Sequence, residues 1–111
     1  MRILDTHHHL WDISLRPYDW INQLPKNESR IINRNFLHDD LIEISNTNRI
    51  DGTICVQAHQ SEDEAFWILD LAKNSDVIKG VVCWVDLKGN NLEHTLDKYQ
   101  SDNKFVGIRH V

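Results

Sequence analysis

GTICVQA, residues 52–58, decides the fold class. The segment is short, β-branched and apolar almost throughout, which is how a strand reads when a parallel sheet buries it on both faces. Similar runs occur at Arg2–Asp5, in IKGVVCWVDL (78–87) and in FVGIRHV (105–111). Four strands are therefore expected.

Helical signals fill the intervals. Ser61, Glu62, Asp63 and Glu64 form a capping box, followed by Ala65, Ile68, Leu69 and Ala72 at helical spacing. Asn91 is placed to cap a helix with the stripe Leu92, Thr95, Leu96 and Tyr99. Leu37, Leu41 and Ile44 mark an earlier helix that ends before an Asp51-Gly52 turn. The order is strand, long loop, helix, strand, helix, strand, helix, strand. Strands alternating with helices in this way give right-handed βαβ units and an α/β class.

Two parallel architectures remain. A doubly wound nucleotide fold places a Gly-rich phosphate loop after its first strand, but the chain has no GxGxxG or Walker sequence and only four glycines. The expectation is therefore a (β/α)8 TIM barrel. A complete barrel takes roughly 250 residues, so residues 1–111 are expected to be the N-terminal part of a single such domain, with about four strands and three helices.

Bulk properties narrow the partner. With 41% hydrophobic residues and a net charge of −5 over 111 residues, the chain reads as globular. Twelve Lys and Arg against 17 acids, with no basic stripe, argue against nucleic acid. No apolar run suits a signal peptide or a bilayer span, so the expectation is a cytoplasmic protein with a small-molecule substrate, no membrane partner and room for homo-oligomer formation. Cys55 and Cys83 sit in apolar runs and fit buried thiols better than a redox or zinc pair.

In a barrel, chemistry collects where strands end. His7 and His9, Gln57 and His59, Trp84 and Asp86, and Arg109 and His110 fall there. In DTHHHLW (5–11), the three histidines follow Met1–Leu4 without a Gly/Ser spacer, which speaks against a purification tag. On extended backbone, His7 and His9 share a face and His8 takes the other. Such a pair can grip one metal ion such as zinc; a solvated histidine cluster is the alternative.

ILDTHHHLWD (3–12), YDWI (18–21), DGTICVQA (51–58), GVVCWVDL (80–87) and GIRHV (107–111) together resemble the lactonase-like branch of the amidohydrolase superfamily, a group of TIM-barrel hydrolases that includes L-fuconolactonase. The resemblance runs in order over nearly the whole chain. It implies that His7 and His9 are the catalytic and metal-binding histidines of the first strand, and that water is directed at the carbonyl of a sugar lactone. It implies a divalent metal, zinc in some relatives and dispensable in others. Binuclear members carry a bridging lysine on the fourth strand; FVGIRHV has none, because Lys104 precedes it, which favours a mononuclear site. Asp5 is then a residue that either supports the metal-site histidines or, as its structural role, anchors the strand.

The remaining polar residues have both functional and structural readings. Arg109 suits a substrate carboxylate or hydroxyl, and His110 and Gln57 suit substrate contact. Trp20, with Trp11 and Tyr18, suits a wall against a sugar ring. His59 is expected in solvent, Trp84 in the core, Asp86 as a loop cap, and His38 and His94 on the surface. The later histidine and aspartate of the family would lie on strands beyond Val111, so the 111-residue chain alone is expected to be inactive. A superfamily decarboxylase and a non-catalytic truncated product are the other readings.

Overall fold

A computed structural model of the protein describes residues 1–110. Four strands form one sheet: β1 (Leu4–His8), β2 (Gly52–Val56), β3 (Ile78–Cys83) and β4 (Phe105–Ile108). All pairs are parallel, and the spatial order equals the sequence order. With right-handed crossovers, a strand order that never reverses puts every crossover helix on the same face. This is one winding direction, as in a barrel, and not the reversal that defines a doubly wound sheet. The molecule is accordingly a slab, 42 × 38 × 21 Å.

The central strands behave as their sequence suggests. Thr53, Cys55, Val56, Ile78, Val81 and Cys83 are all buried, and burial pushes both thiols up to about 12, so they stay protonated. The outer strands depart from the expectation of burial on both faces. Leu4 is 57% and Val106 56% exposed, because each lies in a strand with one sheet neighbour. β1 also runs further than Arg2–Asp5, taking in His7 and His8. The final residue of the run 105–111, Val111, lies outside the described residues.

Three crossover helices were expected: α3 (His38–Asn48), α4 (Glu62–Lys73) and α5 (Leu92–Gln100) supply them. Two short helices, α1 (Asp19–Asn22) and α2 (Lys26–Ile32), occupy what reads as a long loop. Pro25, with its fixed φ of −53°, stands at the start of α2.

The helix stripes hold with corrections. Ala65, Ile68, Leu69 and Ala72 of α4 pack with Ile78, Val81 and Cys83 of β3 and Tyr99 of α5 in one core. Ser61 caps α4 by accepting the amide of Glu64, but the Glu64 carboxylate turns to the amides of Ala58 and His59 instead of closing the box on Ser61. The side chain of Asn91 does not cap α5; its backbone carbonyl takes the amide of Thr95. In α3 the buried residues are Leu41 and Ser45, four apart, while Leu37 is a half-buried N-cap and Ile44 is 60% exposed. α3 ends at Arg49 in the left-handed region. Gly52 is the first residue of β2 and not part of a turn, and a Cβ there would meet side-chain atoms of Leu4 of β1 at 2.9 Å and Lys79 of β3 at 2.7 Å.

Ile68 and Ile44 separate core from surface. In chemical unfolding, Ile68→Ala should cost about 2–5 kcal/mol, and Ile44→Ala no more than about 0.5 kcal/mol. Equal losses would mean that the helices lie on the sheet in another rotation.

Candidate active site

The site begins with an irregularity in β1. Asp5 pairs with Thr53 and His8 with Cys55, so β1 spends one residue more than β2 over this interval. Such a bulge re-aims the side chains that follow it. The Asp5 carboxylate accepts the His7 amide at 3.1 Å, which gives Asp5 the anchoring part expected of it. His8 turns to the sheet and meets the hydroxyl of Thr53 at 2.8 Å. His7 and His9 turn together, their Nε2 atoms 3.3 Å apart.

The tautomer of His9 follows from its partner. Its Nδ1 lies 2.9 Å from the carbonyl of Val56, which can only accept, so Nδ1 carries the proton and Nε2 of the neutral ring carries the lone pair. Burial lowers the His9 pKa below its ordinary 6.5; the Val56 bond opposes this, while His7 and Arg109 push it further down. Burial likewise lowers His8, against the attraction of Asp5.

Arg109 follows β4 and is locked in place. Its Nε and Nη2 donate to Oε1 of Gln57 at 3.2 and 2.9 Å, and Nη2 also donates to the Gln57 carbonyl at 3.1 Å. Nη1 remains and lies 3.5 Å from Nε2 of His7. Gln57, 2% exposed, thus aims the guanidinium as it lines the site.

A cavity of about 430 Å³ opens here, lined by His9, Trp20, Gln57, Ala58, His59 and Arg109 with Pro17, Asp19 and Gln60. It brings together four of the expected residues, His9, Gln57, Arg109 and Trp20, with His7 against two of them. His110 stands apart: it is exposed, with its ring 5.9 Å from Trp84 and off the cavity lining. His59, expected in solvent, lines the cavity and meets the Ser61 hydroxyl at 3.0 Å. His38 is not a free surface residue, for its Nε2 lies 2.7 Å from the Ser75 hydroxyl, whereas His94 is exposed. Asp86 caps its loop by accepting the Lys88 amide. Trp84 is partly buried, with an indole N–H that has no partner among the described residues.

Two aromatic residues of the first connection are core more than wall. Trp11 and Tyr18 are buried with Ile21 in a second cluster that Trp20, Phe36 and Ala58 complete. The sequence reading missed Glu64. Fully buried, it accepts the Tyr18 hydroxyl at 2.7 Å and two backbone amides at 2.9 Å each. The one available signal was its place in the capping box, which suggests a helix start and nothing about the cavity.

The residues fit two ligands of a metal site. Two nitrogens bound to one tetrahedral zinc at about 2.0–2.1 Å stand roughly 3.3–3.4 Å apart, which the His7–His9 separation of 3.3 Å matches. Among the described residues no group of three His, Cys, Asp or Glu side chains gathers to complete it.

Comparison with known proteins adds to this geometry. No protein-family model matches. Over 96% of its length the chain is 29% identical to an L-fucono-1,5-lactonase of Burkholderia ambifaria, of which it covers 35%. It also superposes over 99% of its length on two crystal structures of an amidohydrolase from Burkholderia multivorans, each 28% identical: one with bound HEPES at a TM-score of 0.86, the other with bound zinc at 0.84. Its homologues are thus an L-fucono-1,5-lactonase and an amidohydrolase. The resemblance of the sequence motifs is thereby upheld, and the sheet corresponds to part of a TIM barrel. The chain spans about a third of the length of these relatives, 35% of the lactonase and 37% of the amidohydrolase. No helix among the described residues is long and apolar enough to cross a membrane.

The imidazole environments predict a pH response. Unfolded histidine titrates near 6.5, and the folded values of His8 and His9 lie lower. Stability is therefore complete above about pH 6.5 and is lost as pH falls through the folded values, where the unfolded state takes up protons first. His8→Gln, which keeps a donor for Thr53, should shrink the fall in unfolding midpoint between about pH 7 and pH 5. An unchanged fall would clear His8 of any part in it.

Proposed function

We propose that the protein is a hydrolase of sugar lactones, with this chain supplying His7, His9, Gln57, Arg109 and Trp20 to its site. The reading is carried by one observation: the Nε2 atoms of His7 and His9 converge at 3.3 Å beside the guanidinium of Arg109. The L-fucono-1,5-lactonase relative supports the substrate class, and the zinc-bound amidohydrolase supports a divalent metal.

Each residue has a task in ring opening. His7 and His9 would hold a single divalent ion, and that ion would lower the pKa of a bound water and polarise the lactone carbonyl. Holding Nδ1–H on the Val56 carbonyl keeps His9 in the one tautomer whose Nε2 can serve. Its lowered pKa keeps that lone pair free at neutral pH. With Nε and Nη2 of Arg109 spent on Gln57, Nη1 is the donor left for negative charge that develops on the carbonyl oxygen. The indole of Trp20, anchored on the Ala58 carbonyl at 2.9 Å, offers an apolar face to the sugar ring.

The proposal extends to the whole protein. A catalytic zinc commonly has three protein ligands, and this chain gathers two, so the 111-residue chain alone should not turn over lactone. In a complete barrel that contains it, proton release should report hydrolysis of L-fucono-1,5-lactone or a related aldonolactone. His7→Ala and His9→Ala should each lower kcat by about 10²–10⁴. Wild-type turnover in both variants, or turnover by the 111-residue chain alone, would defeat the assignment.

A further inference from the structure

The long connection between β1 and α3 carries Pro17, Asp19 and Trp20 to the cavity. A connection of this length over a site is most simply a mobile lid, but the contacts beneath it point elsewhere. Trp11 and Phe36 exchange backbone hydrogen bonds at 3.0 and 2.9 Å and close the connection at its base. The side chain of Arg16, 7% exposed, bonds Asp63 of α4 at 3.0 Å and stands 5.1 Å over the ring of Trp67. Arg16 also donates to the Tyr18 hydroxyl at 3.3 Å, and that hydroxyl donates to Glu64.

Everything converges on Glu64. Its Oε2 takes the Tyr18 hydroxyl, and its Oε1 takes the amides of Ala58 and His59. The carbonyl of Ala58 in turn holds the indole of Trp20. One buried carboxylate therefore fixes both sides of the cavity wall, the β2–α4 turn with His59 and the first connection with Trp20. A buried carboxylate must satisfy its lone pairs or pay a heavy desolvation cost, and here both oxygens are engaged. That leaves Glu64 unsuited to act as a base or a ligand and suited to setting position.

We infer that Glu64, through Tyr18 and the amides of Ala58 and His59, is a positioning residue that makes the first connection a fixed wall selecting the sugar ring. The inference rests on the lactone reading of the cavity for its substrate and on the hydrogen bonds alone for the positioning.

The test uses the active protein that contains this chain and three variants: Tyr18→Phe, Glu64→Ala and Glu64→Gln. Kinetics with L-fucono-1,5-lactone are measured well below each variant's unfolding temperature. Tyr18→Phe and Glu64→Ala should lose about tenfold to a hundredfold in kcat/KM, with the loss falling on KM and kcat within about threefold. Glu64→Gln keeps an oxygen for the two amides and should recover most of it. The hydrogen-bonded indole N–H resonance of Trp20, assigned by its loss in Trp20→Phe, should move in Tyr18→Phe and Glu64→Ala. Lowered unfolding temperatures with unchanged KM would reduce Glu64 to a stability element and overturn the inference. If Glu64→Ala does not fold, Tyr18→Phe and Glu64→Gln decide it alone. If the wild-type protein opens no aldonolactone, the substrate reading has failed, and the Trp20 resonance decides the positioning: a shift sustains it and a fixed signal ends it.

Discussion

Gln57 and Arg109 meet across 52 residues of sequence, and much of the site depends on their contact. They follow β2 and β4, with β3 between. Strands two places apart lie roughly 10 Å from each other, so the long guanidinium reaches back over the end of β3 to find its partner. For that reach to end beside His7, the carboxyl ends of all four strands must be brought level. The strand order supplies the condition, since four parallel strands wound in one direction put their carboxyl ends on one edge. The same contact decides what Arg109 can do. Held by two bonds to the Gln57 side-chain amide and one to its backbone carbonyl, the guanidinium directs Nη1 at the imidazoles.

A second constraint acts from below. The cavity lies between a strand edge, which the sheet holds, and a long connection that leaves the sheet after His9 meets the Val56 carbonyl of β2. Its rigidity comes from a polar chain that runs from Asp63 through Arg16 and Tyr18 to Glu64. Buried polar networks are costly where incomplete and specifying where complete, and this one leaves neither Glu64 oxygen unpaired. Apolar packing of Trp11, Tyr18 and Ile21 could by itself tolerate sliding; the directional bonds to Glu64 remove that freedom.

What the sequence made legible follows from how local each signal is. The four strands and three main helices come from periodicity within single segments, and the amidohydrolase resemblance from motifs inside them. The convergence of His7 and His9 was visible because alternation along a strand is a two-residue rule, although the bulge at 5–8 was not. Burial on both faces was misjudged for β1 and β4, because apolar content does not tell a central strand from an outer one. Ile44 was misassigned because steps of three and four residues both fit a helix face, and only the core that takes in Leu41 selects between them. Glu64, His59 and the roles of Tyr18 and Gln57 were hidden for one reason: each is defined by a partner five to 52 residues away, a pairing that no single segment encodes.

On the proposed reading, a fixed guanidinium 3.5 Å from Nε2 of His7 would repel a cation bound there, and two neutral rings alone would offset little of that repulsion. An ion held here would therefore depend on anionic partners: a carboxylate from elsewhere in the barrel, a hydroxide, or the charge that would build on a lactone carbonyl as water adds. The last of these would develop as water adds, and Arg109 would then share with the ion an attraction to the same oxygen that offsets their mutual repulsion. On the proposed reading, weak metal retention at rest and strong stabilisation of the oxyanion are two consequences of one arrangement, His7 and His9 on one strand and an arginine that glutamine will not let turn away.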